Sequence, residues 1–303
     1  MVTNAHEFLI LRFCFHANSP LRIVALLALV LLLAACGGGP DRAGNESARN
    51  DKPLPRIAVS NSWLECCVRD LMGAGCEPVR VCPPGACPGH FDIRPGDVNA
   101  FQDCRLIFLF DFQKSLGEQL RALFPDSLNT VIIEGPRGLC VPSSYRAACE
   151  AVHATLLTHH PERRPALDAA LASIGERMAA LEKDIPAQIQ SAGLKGVAVV
   201  CSGHQEAFCR WLGLNPIAAY SGPESASPAR IEALLEKGKS AGVRFVVANL
   251  QEGAQAGEAL ALQLGAALVV FSNFPSMTGD ETSIDALVRS NVGRLLIAAE
   301  NSE

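Results

Sequence analysis

The feature that most constrains the fold is a repeated alternation of short, β-rich apolar runs with amphipathic helical stretches. The first series extends from the strand-like run at residues 57–60 to the run at 130–133, and the second extends from residue 196 to residue 271. Parallel strands need crossover helices and are buried on both faces. Each series therefore predicts a lobe with a mostly parallel sheet flanked by helices, and the fold class is α/β.

The segment between the two series has no strand signal and predicts one long helix. Between Pro161 and Ala192, apolar residues recur at three- and four-residue steps, which is typical of an amphipathic helix. Pro186 is expected to kink or shorten this helix, because proline removes a backbone donor. Two lobes joined by one long interlobe helix, with strand ends facing a shared crevice, predict a binding protein.

The N-terminus has the pattern of an export signal. Arg12 and Arg22 precede an apolar run, Ile23 to Ala35, of about 13 residues, which is shorter than the roughly 20 residues of a membrane-spanning helix. The run ends at Cys36, which small residues precede and three glycines follow, and this resembles the lipobox of bacterial lipoproteins. We therefore expect a lipid anchor at Cys36 and a location on the periplasmic or cell-surface side of the bacterial membrane.

These features divide the chain into five parts. They are a signal peptide (1–35), a flexible linker (36–55), an N-terminal lobe (56–160), a linking helix (161–192) and a C-terminal lobe (193–303). With 26 basic and 31 acidic residues and a formal net charge of −5, the chain fits neither a nucleic-acid binder nor a disordered polyelectrolyte. Its 12 cysteines are unusual at this length, and an exported protein can pair them in disulfides.

Three stretches resemble the metal-binding substrate-binding lipoproteins of zinc and manganese ABC transporters. The first, residues 82–97, resembles that family's Pro-Pro-Gly-x-x-Pro-His-x-(Tyr/Phe)-x-x-x-Pro-x-Asp loop, with His90 one residue beyond the family's metal-binding histidine. The second, residues 201–214, resembles a strand followed by His-x-Ala-Phe, and the third, residues 225–231, resembles the helix start Glu-Pro-Ser-Pro-Ala-Arg-Leu. The resemblance extends over essentially the whole mature chain.

Other ligand positions depart from the family pattern. We match the family's Pro-His-Val-Trp-Leu, at the end of the first lobe, to residues 139–143, which puts Cys140 in place of a histidine. Where the family has an acidic ligand after a late strand, this chain has Phe-Ser-Asn at residues 271–273. Asp280 lies one loop further along the chain. Counting back three residues from Phe208 gives Gln205, so His204 is also one residue out of register.

The resemblance implies a metal site with ligands from both lobes: His90 and Cys140 from the first and His204 from the second, completed by Asp280 or Glu206. Zinc accepts nitrogen, sulfur and oxygen ligands, whereas manganese prefers oxygen, so a cysteine ligand favours zinc or copper(I). Other interpretations remain open, since Cys140 could instead form a disulfide or a buried thiol and Asp280 could belong to a solvated loop.

The sequence thus predicts a lipid-anchored receptor without catalytic activity. It would capture a divalent transition metal, zinc first, between its lobes and deliver it to the permease and ATPase of an ABC importer. One alternative is the same fold binding copper(I) or a metal chelate. A second is a periplasmic thiol-dependent redox protein, for which the many cysteines argue, and a third is a scaffold or adhesion lipoprotein with a vestigial site.

Overall fold

The structure, a computed structural model, describes residues 55–73, 75–84, 93, 95–221 and 227–302. The predicted signal peptide, Cys36 and His90 lie outside these residues. All the described residues belong to one structural unit that begins at Pro53. None of the helices in them combines the length and hydropathy needed to cross a bilayer.

The first lobe is built on a parallel four-stranded sheet with the order β2-β1-β3-β4. Its strands are β1 (Ile57–Val59), β2 (Val79–Arg80), β3 (Leu106–Phe110) and β4 (Asn129–Ile133). Its helices are α1 (Ser62–Met72), α2 (Pro95–Phe101), α3 (Lys114–Leu123) and α4 (Pro142–His159). Strand β3 is buried at every residue, as expected for an uninterrupted apolar run in a parallel sheet. Asn61 starts α1, because its side chain accepts hydrogen bonds from the backbone of Trp63 and Leu64.

Helix α5 (Arg164–Ser191) is the long helix that the apolar periodicity predicts. The expectation that Pro186 shortens it is wrong, since the helix continues to Ser191. Ile185 and Ile189 are buried on either side of the proline and hold this part of the helix against the core. Burial of such side chains offsets the loss of one backbone hydrogen bond.

The second lobe repeats the same topology, with the order β6-β5-β7-β8 and all strands parallel. Its strands are β5 (Ala198–Ser202), β6 (Asn215–Tyr220), β7 (Phe245–Asn249) and β8 (Ala267–Phe271). Its helices are α6 (Glu206–Trp211), α7 (Pro228–Ser240), α8 (Gln255–Leu264) and α9 (Ile284–Glu300). The predicted fold class, two lobes with parallel sheets flanked by helices and a long helix between them, is confirmed.

The two lobes share one apolar core that includes α5. In the first lobe, the fully buried Trp63 packs edge-on against Phe110 and Tyr145. In the second lobe, Phe208 packs edge-on against Phe271. Because these side chains belong to one continuous cluster, we expect the two lobes to unfold together.

An ion-pair network also connects the lobes through α5. The Arg177 guanidinium donates to both carboxylate oxygens of Asp70 on α1, at 2.5 and 3.3 Å, and lies 3.3 Å from Asp285 on α9. The Tyr145 hydroxyl donates to Asp70 at 2.8 Å. These contacts raise the pKa of Arg177 above its usual range, with the hydrogen bond to Asp70 as the main cause. The charges therefore attach both lobes to the same point of the long helix.

Candidate ligand-binding cleft

A cleft of about 630 Å³ lies between the lobes, and loops that follow the strands form its walls. The first-lobe wall consists of Phe112, after β3, and residues 135–139, after β4. The second-lobe wall comes from the loops after β5, β7 and β8 and from the start of α6. In open parallel sheets, ligands bind outside the carboxyl ends of the strands near the point where the strand order reverses. The cleft lies outside the carboxyl ends of strands of both sheets.

Three amide side chains tie the second-lobe loops together. The fully buried Gln205 donates through Nε2 to Asn249 Oδ1 at 3.0 Å and to Asn273 Oδ1 at 3.1 Å. Asn249 and Asn273 are nearly buried, and both line the cleft. Gln205 Oε1 is buried without a hydrogen-bond partner. We call Gln205, Asn249 and Asn273 the amide cluster; it holds one wall of the cleft in a fixed arrangement.

The loop after β8 is held by further hydrogen bonds. Gln251 accepts from the Asn273 backbone through Oε1 and donates to Ser272 Oγ through Nε2, both at 2.9 Å. Asn291 of α9 accepts from the Ser272 backbone N–H at 2.9 Å and donates to its carbonyl at 2.8 Å. With both backbone groups of Ser272 bonded to one side chain, the loop that carries Asn273 is fixed to the lobe.

A histidine and a carboxylate lie side by side on the same wall. His204 Nε2 is 3.4 Å from Glu252 Oε1, and both residues line the cleft. The His204 side chain is 66% exposed, whereas that of Glu252 is 22% exposed and its Oε2 accepts from Ser202 Oγ at 2.5 Å. Imidazole nitrogen and carboxylate oxygen are both zinc ligands. This pair can supply two donor atoms to a metal ion.

Among the described residues, the first-lobe wall contributes one charged side chain, Arg137. It is exposed, it lines the cleft, and its guanidinium pairs with no residue in the part of the chain that the structure describes. By contrast, Arg210 on the opposite wall donates to Glu206 Oε1 through two nitrogens, at 2.6 and 3.2 Å. Arg137 therefore presents to the cleft a positive charge that none of the described side chains neutralises.

The loop that carries Arg137 is fixed at both ends. The Gly135 N–H donates to Asp111 Oδ1 at 3.0 Å. Gly138 has φ of +85°, and a Cβ placed there would lie 2.9 Å from the Cβ of Ala207 on α6. Because only glycine adopts this conformation readily and no side chain fits there, the two lobes approach closely at Gly138.

The structure places the three predicted ligands that it describes, Cys140, His204 and Asp280, apart from one another. Cys140 is fully buried beneath the cleft, where its thiol donates to the Ser272 carbonyl at 3.1 Å and accepts from Asn291 at 3.4 Å. Burial raises the pKa of this thiol, so it stays protonated at neutral pH. His204 lies on the cleft wall, whereas Asp280 is exposed and is not among the cleft residues.

No group of three His, Cys, Asp or Glu side chains that could hold a metal ion occurs among the described residues. Cys140, His204 and Asp280 are therefore not brought together, and His90 lies outside the described part of the chain. The cysteines behave alike: the nine in the described ranges are all buried and free. Two of them, Cys67 and Cys149, have Sγ atoms 3.0 Å apart.

Sequence reasoning missed Arg137. If the proline of the family motif Pro-His-Val-Trp-Leu is aligned with Pro136, Arg137 takes the position of the histidine. Pro136 was therefore the sequence signal that could have identified Arg137 as a residue of the site. By the same counting, Gln205 and Asn273 take the positions of the next histidine and of the acidic ligand. A guanidinium has no lone pair to offer a metal, and amides are weak zinc ligands. These three positions therefore do not form the zinc site that the family motifs describe.

Comparisons with known proteins agree with the fold. The family model described as ZnuA, zinc-uptake complex component A periplasmic, matches residues 141–298. The structure is similar to a Mn-bound periplasmic metal-binding protein from Candidatus Liberibacter asiaticus, with a TM-score of 0.67, 14% identity, and coverage of 81% of this chain and 100% of that one. A crystal structure of ZnuA gives a TM-score of 0.67, 15% identity, and coverage of 80% and 98%. A comparison with curated protein sequences gave no match.

Proposed function

Because the chain belongs to the family of periplasmic zinc-uptake component A proteins, we propose that it is the solute-binding component of an ABC importer whose cargo contains a divalent metal ion. The observation that carries the proposal is the cleft between two parallel-sheet lobes, with His204 and Glu252 adjacent on its wall. A permease and its ATPase are the partners that this role requires. No catalytic step and no nucleic acid enter the proposal.

Zinc is the first candidate for the metal. The His204 nitrogen and the Glu252 oxygen suit zinc, and the family description names zinc uptake. Solved relatives are described as bound to manganese and to cadmium, so other divalent metals are the alternatives. His90 remains a proposed further ligand. Cys140 and Asp280 do not, because the first is buried as a protonated thiol and the second lies away from the cleft.

Two alternatives from the sequence are less well supported. Copper(I) prefers sulfur ligands, and the described residues that line the cleft include no cysteine or methionine. A thiol-dependent enzyme needs an accessible thiolate with a lowered pKa, whereas burial raises the pKa of Cys66, Cys67 and Cys140. The hydrogen bond with Cys201, followed by burial, raises the pKa of Cys209.

We test the importer role by metal analysis of cells grown under metal limitation. Cells that lack the protein should accumulate less of one transition metal, and the wild-type gene should restore it. A gene that carries both His204→Ala and Glu252→Ala should not restore the accumulation of that metal. The matched control, His153→Ala with Asp168→Ala, removes a histidine–carboxylate pair 2.8 Å apart outside the cleft and should restore uptake. Unchanged content of every transition metal in the deletion strain would overturn the proposal.

Lipid anchoring at Cys36 is a separate part of the proposal. Wild-type protein should enter the detergent phase on phase separation, and Cys36→Ser should move it to the aqueous phase, because the acyl chains are lost. Wild-type protein found in the aqueous phase, without a lipid mass increment, would show that no anchor forms.

A further inference from the structure

The cleft provides too few ligands for a bare metal ion. Zinc in proteins takes four ligands, and sites that bind exchangeable groups keep three protein ligands and one open position. The described residues contribute only two adjacent donors, His204 Nε2 and Glu252 Oε1. Even with His90 as a third, at least one position would remain for a ligand that is not part of the protein.

The charge of the opposite wall also disfavours a bare cation. Arg137 faces the cleft without a counter-ion among the described residues, and its guanidinium repels a divalent ion. The same group binds carboxylates through two parallel hydrogen bonds. One wall of the cleft therefore offers metal donors, and the other offers a carboxylate-binding group.

The size of the cleft agrees with an organic ligand. A metal ion with six waters occupies roughly 180 Å³, taking about 30 Å³ for each water. The cleft, at about 630 Å³, falls in the range of small-molecule sites. Asn249 and Asn273 of the amide cluster line the cleft and border this space with polar side chains.

We infer that the cleft takes its metal as a complex with a small polycarboxylate, in which His204 and Glu252 bind the metal and Arg137 binds a carboxylate. This inference rests on the proposed function, because it specifies the form of the cargo. Binding requires only ligand exchange at the metal, without a change of oxidation state.

Calorimetric titration of the purified protein with zinc alone, citrate alone and zinc with equimolar citrate tests the inference. Citrate lowers the concentration of free zinc, so a receptor for the bare ion would bind more weakly when citrate is added. A receptor for the complex should bind at least tenfold more tightly than with either component alone.

Arg137→Ala should then reduce affinity for the zinc–citrate mixture by about 10- to 100-fold, the effect of one charge-assisted contact. It should not weaken binding of zinc alone, and the loss of the repelling charge should strengthen it. Arg137→Lys should restore part of the affinity, because it keeps the charge but not the bidentate geometry. The control Arg146→Ala removes an exposed arginine of α4 that pairs with Glu150 and should have no effect.

The outcomes separate this inference from the proposed function. If zinc alone binds tightly, citrate weakens it and Arg137→Ala has no effect, the inference is overturned and the importer proposal stands. If citrate alone binds as tightly as the mixture, the cargo is a carboxylate, and both metal statements fall. If Arg137→Ala affects the mixture as expected and the control does not, the inference is supported.

Discussion

The two walls of the cleft differ in construction although the two lobes have the same strand order. The second-lobe wall is a hydrogen-bonded set of side chains from three loops, centred on Gln205. In the described part of the chain, the first-lobe wall consists of Phe112 and a loop of small and apolar residues with one unpaired charge, Arg137. The sheets thus determine where the cleft lies, whereas the loops after the strands determine its chemistry.

The largest expected effect on cargo binding comes from converting both walls to the family pattern. The triple variant Arg137→His, Gln205→His, Asn273→Asp introduces two imidazoles and a carboxylate, which with a fourth ligand form a tetrahedral zinc site. We expect zinc affinity to rise by about a hundredfold or more, measured by competition with a chromophoric chelator. Arg137→His alone is the control and should gain little. Equal affinities for the triple variant and wild type would show that the three positions do not converge.

A second prediction compares the packing beneath the two walls. Trp63→Ala and Phe208→Ala each remove a fully buried aromatic side chain and should each lower the free energy of unfolding by about 3–5 kcal/mol. Circular dichroism during urea unfolding should give a single transition in both variants, because one core spans both lobes. Phe112→Ala, at a side chain that is 50% exposed on the cleft wall, should cost less than about 1 kcal/mol. Two transitions would show that the lobes are independent.

A third prediction concerns the point where the walls approach each other. Gly138→Ala should lower the free energy of unfolding by about 1–3 kcal/mol, because φ is +85° and the new Cβ would meet Val141 and Ala207. It should also weaken cargo binding, since the contact between the lobes must widen. Gly193→Ala is a matched control, with φ of +69° and no atom within 4 Å of a new Cβ, so it reports the backbone cost alone. Equal stability of the two variants would show that the lobes have room at Gly138.

The smallest effect concerns pH. Burial raises the pKa of Cys66 and Cys140 above the unfolded value of about 8.5. Below that pH both states keep the proton and the thiols contribute no pH dependence. Above it only the unfolded chain loses protons, so stability falls by about 1 kcal/mol per thiol at pH 9.5. Urea unfolding at pH 7.5 and 9.5 measures this loss, which Cys66→Ala should reduce. Alkylation of Cys140 in the native protein at pH 8 would contradict the assigned burial.

The sequence predicted the fold well because the signals are local and redundant. Strands such as β3 and β8 are uninterrupted apolar runs, and α5 has a buried stripe over its whole length. The helix passes through Pro186 because tertiary packing outweighs local propensity.

The site was harder to predict, because the direction of a loop side chain depends on backbone turns that spacing does not specify. Gly138, with positive φ, redirects the chain between the exposed Arg137 and the buried Cys140. The 3₁₀ turn Gly203–Gln205 likewise leaves His204 exposed and buries Gln205. A register error of one to three residues therefore exchanges a wall residue for a buried one.

The buried thiols have a consequence for how the protein is made. Cys67 and Cys149 are 82 residues apart in sequence, and they become neighbours only when α1 and α4 have packed together. A chain that crosses a membrane unfolded exposes all its thiols to the oxidants of the outer compartment before that packing exists. The yield of native protein therefore depends on the rate of folding relative to the rate of thiol oxidation. The faster α1 and α4 pack together, the smaller the fraction of chains that form mispaired disulfides.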